Sequence, residues 1–182
     1  FDYFWLDGQD SGGGCECVPA GGDTFDSGSL DEQKWNAIVR PQPDLIAFND
    51  GWLEMTTVNG DIYTNGDPAG TRNFILQNPT EAGQDWVIET HIDASTLGQG
   101  YEQAGLMARI DDDNYIKYDV LSDDTNTWVN RIELRSEVAG QIVNPQPQVT
   151  FPESDPANEV WLRLTKSGNN YSGEYSRDGE TW

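Results

Sequence analysis

The sequence predicts an all-β protein, two antiparallel sheets packed face to face. Three observations carry that expectation. Apolar and polar residues alternate at period two along much of the chain, helical periodicity is hard to find, and Asn, Asp and Gly punctuate the alternating runs at short intervals. The 182 residues suit a single β-sandwich. Seven Trp, seven Tyr and six Phe are spread along the chain and supply a core, which argues against the disorder that a net charge of -22 alone would suggest.

Taken in order, residues 1–8 (Phe1-Asp2-Tyr3-Phe4-Trp5-Leu6-Asp7-Gly8) read as an apolar strand belonging to something upstream. A Gly-rich linker follows over residues 9–22, so the sandwich is expected over residues 23–182. Strands are expected at 35–39, at 45–48 after a Pro41-Gln42-Pro43 break, and at 52–58 after the turn Asn49-Asp50-Gly51. In 85–93, Trp86, Ile88, Thr90 and Ile92 face inward while Val87, Glu89, His91 and Asp93 face outward. Leu106, Ala108 and Ile110 alternate with Gly105, Met107 and Arg109. The turn Asp111-Asp112-Asp113-Asn114 leads to a strand at 115–121, with Ile116, Tyr118 and Val120 inward and Tyr115, Lys117 and Asp119 outward. A long strand over 128–138 turns Ile132 and Leu134 inward. Two more, 159–166 and 171–176, are joined by Ser167-Gly168-Asn169-Asn170.

Charge excludes several partners. Ten Lys and Arg stand against thirty-two Asp and Glu, so a nucleic-acid backbone or an anionic membrane would be repelled. No window approaches eighteen consecutive apolar residues, and the start lacks the cationic region of a signal peptide, which places any export signal outside this chain. An extracellular, secreted location is expected.

Asp23-Thr-Phe-Asp26 with Ser29-Leu-Asp31 and Lys34-Trp35 resembles the opening strand of concanavalin A-like lectin/glucanase sandwiches. Tyr101-Glu-Gln-Ala-Gly-Leu-Met-Ala-Arg109 followed by Asp111-Asp-Asp-Asn-Tyr-Ile-Lys117 is similar to the central hairpin of one branch of that superfamily. The hairpin from Trp161-Leu-Arg-Leu164 to Tyr175-Ser-Arg-Asp-Gly-Glu-Thr-Trp182 is similar to the same branch. Its members include the domain of unknown function related to a yeast enolase regulator and the β-xylosidase C-terminal sandwich. The resemblance implies a jelly-roll sandwich that continues past a motif like 175–182, the last strand reading much like residues 1–8. Residues 23–182 are therefore expected to lack their last strands, and residues 1–8 to close an upstream sandwich or to complement this one. It also implies a structural Ca2+ between opening and closing strands, with Asp2, Asp23 and Asp26 as candidate ligands.

Catalytic motifs are sparse. A retaining glucanase needs two carboxylates about 5 to 5.5 Å apart, supplied by a Glu-x-Asp-x-(x)-Glu type string. None is present, which leaves cross-strand carboxylate pairs as the catalytic alternative, to be tested at Glu89 and Glu133. His91 is the sole histidine, and no Gly-x-Ser-x-Gly elbow occurs. Cys15-Glu16-Cys17 is the one cysteine motif. Cys15 and Cys17 are expected to be oxidised, paired with each other or with partners elsewhere.

The cations are more informative. Arg109, Lys117, Arg131, Arg135 and Arg163, half of all ten, fall on outward strand faces beside Glu89, Asp119, Glu133 and Trp161. They form either cross-strand ion pairs or a polar groove in which Arg and carboxylates bind sugar hydroxyls and an aromatic ring stacks on a pyranose. The candidate sugar-binding residues are Trp161, Tyr115 and Tyr101 as platforms, with Arg109, Lys117, Arg131, Glu133, Arg135 and His91. The expected function is a non-catalytic carbohydrate-binding accessory module of a secreted multidomain protein, its partners a polysaccharide or glycan, neighbouring domains and further copies of itself. The alternatives are a structural repeat of an extracellular fibre or surface layer, and a glycoside hydrolase with cross-strand carboxylates.

Overall fold

The computed structural model describes residues 21–63, 66–78, 83–98, 100–123 and 126–182. In chain order the strands are β1 (Ala37–Val39), β2 (Ile46–Asn49), β3 (Trp52–Met55), β4 (Phe74–Leu76), β5 (Trp86–Asp93), β6 (Gln103–Asp111), β7 (Asn114–Leu121), β8 (Arg131–Val138), β9 (Gln141–Ile142), β10 (Gln148–Thr150), β11 (Glu159–Ser167) and β12 (Asn170–Ser176). All pairings are antiparallel. The larger sheet runs β6-β7-β8, with β9 and β10 both pairing with β8; the second sheet runs β12-β11-β5. The pairs β1-β4 and β2-β3 complete the described strands.

Alternation explains the layering. Leu106 on β6, Tyr118 and Val120 on β7 and Ile132 on β8 share a core with Ile92 on β5 and Val160, Leu162 and Leu164 on β11. Phe25, Trp35, Leu53 and Ile75 extend that core. A smaller cluster of Ile62, Phe74 and Tyr115 forms on the opposite face of the larger sheet. That face is therefore covered at one end.

Three expected strands are shorter than their patterns suggest, the 35–39 run starting only at Ala37. The 52–58 run ends at Met55, because the Thr56 N–H turns to donate to the Leu45 carbonyl. The 128–138 run starts at Arg131, because the Val129 and Asn130 carbonyls accept from Ala157 and Phe151 instead of continuing the ladder. Strands β4, β9 and β10 were not expected; each has three residues or fewer and shows no alternation. Residues 1–8 and most of the 9–22 linker lie outside the described residues.

Candidate functional site

Positions of one parity on three adjacent strands build a charged layer on the face of the larger sheet away from the core. Strand β7 contributes Tyr115, Lys117 and Asp119; β8 contributes Arg131, Glu133, Arg135 and Glu137; β6 contributes Gln103 and Arg109. The register sets Asp119 directly opposite Glu133, Lys117 opposite Arg135, and Tyr115 opposite Glu137. These side chains are not solvated: Lys117, Asp119, Glu133 and Arg135 are 6%, 3%, 6% and 7% exposed.

Charge is matched inside this layer. Lys117 Nζ lies 2.8 Å from Asp119 Oδ2 and 3.6 Å from Glu133 Oε1, and donates a further hydrogen bond to Gln103 Oε1. Glu133 Oε2 lies 2.6 Å from Arg135 Nη2 and 3.1 Å from Arg131 Nε, both of them ion-pair contacts. Arg131 reaches on to Asp123 at 3.2 Å, and Arg135 Nη2 donates to Gln148 Oε1 at 2.6 Å. Tyr63 roofs the layer, its ring centre 6.0 Å from Lys117 Nζ and its hydroxyl donating to Gln146 Oε1 at 3.2 Å. The Asp119 carboxylate keeps an acceptor unused. Asp119 Oδ1 is buried with no hydrogen-bond partner in the protein, a costly state for a carboxylate oxygen.

Burial pushes the Asp119 carboxyl up to about 7, against the opposing pull of Lys117. Burial would lower the Lys117 ammonium, but Asp119 and Glu133 outweigh it and hold the group above its ordinary value. The sign for stability follows from linkage. The folded state holds the Asp119 proton more tightly than the unfolded chain, so this contribution is complete below the ordinary value of 3.8 and is lost as pH rises through about 7. Urea midpoints measured from pH 4 to 8 should fall more steeply for the wild type than for Asp119→Asn. Parallel curves would contradict this assignment.

The remaining predicted residues separate. Arg109 pairs with Asp112 at 2.7 Å and covers the Phe74 ring at 5.4 Å. The acidic turn is thus built around arginines, since Arg40 also meets Asp112 at 3.0 Å. Although burial opposes it, hydrogen bonds from Arg40 and Arg109 hold the Asp112 carboxyl below its usual range. Tyr115 is corrected as a stacking platform: it is 3% exposed beneath Ile62 and Phe74, and its hydroxyl donates to Glu137 Oε1 at 3.0 Å. Burial and the Glu137 charge push its phenol well above the ordinary range. Tyr101 is 46% exposed in the turn before β6, next to the end that carries Gln103.

Trp161 and His91 are corrected as members of the groove, because they sit on the outer face of the other sheet. Strand parity had put them on an outward face but could not say which. Here β11 and β5 bring the rings together, stacked at 3.9 Å with an interplanar angle of 2°. Trp52 meets His91 at 5.0 Å, and His91 Nε2 lies 3.1 Å from Glu159. On the β12 side, a Cβ at Gly179 would lie 3.2 Å from Trp161 Nε1 and Cε2. With a neighbour on each side, the Trp161 indole is a packing element, and no open ring face is left for a pyranose.

Asp2, Cys15 and Cys17 lie outside the described residues. Both Asp23 carboxylate oxygens are engaged within the protein. Its Oδ1 accepts from the Phe25 N–H at 2.9 Å and its Oδ2 from Trp35 Nε1 at 2.7 Å, while Lys34 donates to the adjacent Gly22 carbonyl. Asp26 is exposed, and among the described residues no group of three or more His, Cys, Asp or Glu gathers to hold a metal. Sequence reasoning missed Gln103, Tyr63, Asp123 and Gln148. Gln103 was within reach, because it shares the parity of Arg109. Tyr63 lies in an irregular segment that has no periodic signal. The family model of the β-xylosidase C-terminal concanavalin A-like domain matches residues 22–182. A comparison with curated proteins gives no match.

Proposed function

Because the chain belongs to the family of β-xylosidase C-terminal concanavalin A-like domains, we propose that it is a non-catalytic accessory module of a secreted multidomain protein that binds a glycan on the charged face of the larger sheet. The observation that supports this reading is the orphaned Asp119 Oδ1. A sugar that moves Tyr63 aside brings a hydroxyl to that oxygen, and the donated hydrogen bond relieves its cost. Tyr63 and Tyr101 at the rim supply rings for the apolar face of a sugar, and Gln103 and Gln148 add amide partners.

A hydrolase is the competing reading, and the Asp119–Glu133 pair is its strongest support. The two carboxylates are direct cross-strand neighbours, and burial raises the Asp119 carboxyl as a general acid needs. Lys117 supports the non-catalytic reading instead. Its ammonium contacts both carboxylates, at 2.8 Å and 3.6 Å, and engages them in ion pairs. Glu89, on the other sheet, is taken by Arg163 at 2.6 Å.

Titration calorimetry with xylo-oligosaccharides and a panel of other soluble glycans tests the proposal. Tyr63→Ala, which removes a stacking ring, and Gln148→Ala, which removes an amide partner, should each weaken binding by about tenfold. Trp161→Ala should lower the melting temperature and leave affinity unchanged. The reading fails if no glycan binds, or if Trp161→Ala alone abolishes binding. Turnover of an aryl glycoside that disappears in Glu133→Gln would restore the hydrolase.

A further inference from the structure

Asp119 owes its unused oxygen to the register of the larger sheet. Its paired residue on β6 is Gly105, which brings no side chain to the charged face, and a Cβ there would lie 2.7 Å from the Asp119 Cβ. Its paired residue on β8 is Glu133, itself an acceptor. On its own strand Lys117 donates to Oδ2 at 2.8 Å and turns its other protons to Gln103 and Glu133. Arg135 and Arg131 are engaged with Glu133, Gln148 and Asp123. The Tyr115 hydroxyl donates to Glu137 and the Tyr63 hydroxyl to Gln146. From the covering segment Asp61 adds charge of the same sign as Asp119, near enough to act on Lys117 and Tyr115. Each of these donors thus has another acceptor.

Two things relieve a buried carboxylate oxygen of this kind, a proton or a donor brought by a ligand. They compete for the same atom. We propose that glycan binding at the charged layer expels the Asp119 proton, so that the site binds weakly in acid and tightly once the carboxyl ionises. The inference rests on the glycan reading and adds its regulation. Burial holds the carboxyl of the free protein up at about 7, so the proton is present through the mildly acidic range. A sugar hydroxyl donating to Oδ1 makes a charge-assisted hydrogen bond with the carboxylate. That bond is stronger than one accepted by the neutral acid, and it favours the ionised form. The sign follows from linkage. A ligand that prefers the deprotonated site binds more weakly as pH falls through about 7, and below that value it releases a proton when it binds. His91, the sole histidine, sits on the outer face of the other sheet and does not face this carboxyl.

Titration calorimetry of the 182-residue chain with xylohexaose and the panel of soluble glycans tests it, run from pH 5 to 8 and, at pH 6, in both phosphate and bis-Tris. Affinity should rise about tenfold per pH unit from pH 5 to 6.5 and level off above about 7. The difference in heat between the two buffers should correspond to about one proton released per glycan bound at pH 6. Asp119→Asn, which has no carboxyl to titrate, should bind more weakly than the wild type at pH 8 and show no such slope. A wild type that binds with pH-independent affinity and no buffer difference overturns this proposal and leaves the glycan reading standing. So does a slope that persists in Asp119→Asn, since another group would then carry it. If no glycan binds at any pH, both readings fall. If Asp119→Asn does not fold or does not bind, the wild-type proton count decides alone: release of less than about half a proton overturns the proposal.

Discussion

Lys117→Met should destabilise the fold by about 3 to 5 kcal/mol, the range for removing one partner of a buried ion pair. Methionine keeps the volume, so packing is not the cause. The ammonium is the nearest cation to Asp119, at 2.8 Å, and also faces Glu133. Glu133 keeps Arg135 and Arg131, whereas Asp119 is left to fold as the neutral acid. The loss should therefore be greater at pH 8 than at pH 5, because more work is needed to protonate Asp119 at the higher pH. Denaturant unfolding at the two pH values checks both magnitude and direction. The double variant Lys117→Met/Asp119→Asn should recover much of the loss. If it does not, the role of Lys117 is steric and the electrostatic account is wrong.

Gly173→Val should be comparably damaging for a purely geometric reason. A Cβ on Gly173 would lie 2.5 to 2.8 Å from three atoms of the Tyr118 ring, where real contacts essentially do not occur. Tyr118 is a core residue on β7, so it cannot move without disturbing the packing between the two sheets. Overpacking of this kind costs about 1 to 3 kcal/mol and sometimes more. The companion variant Tyr118→Ala should relieve the clash, so that Gly173→Val costs far less in that background. A double-mutant cycle by thermal unfolding measures the coupling. Additive effects would mean that the ring and the glycine do not meet.

The parts of this molecule legible in its sequence are those that depend on parity. The alternation of Ile116, Tyr118 and Val120 against Tyr115, Lys117 and Asp119 puts the right residues in the core and the right ones on the charged face. Parity says which side of a strand a residue takes, but not what covers that side. Tyr115 is therefore buried by Ile62 and Phe74, from a segment whose own pattern predicts nothing. Nor does parity assign a strand to a sheet. Trp161 and Arg135 are both outward, yet one belongs to the β12-β11-β5 sheet and the other to the β6-β7-β8 sheet. The cross-strand ion pairs expected from alternate charges are present, but in a dry layer with near-complete burial. That depth depends on tertiary cover over the sheet, which no local pattern encodes.

The dry charged layer also sets how the protein responds to ionic strength. Mobile ions screen charges that water can reach, and they act weakly on pairs buried like Lys117 and Asp119. The exposed carboxylates behave differently, because their mutual repulsion within a chain of net charge -22 falls as counterions accumulate. Added electrolyte therefore relieves the strain of the excess acid without loosening the pairs that hold the sheet together.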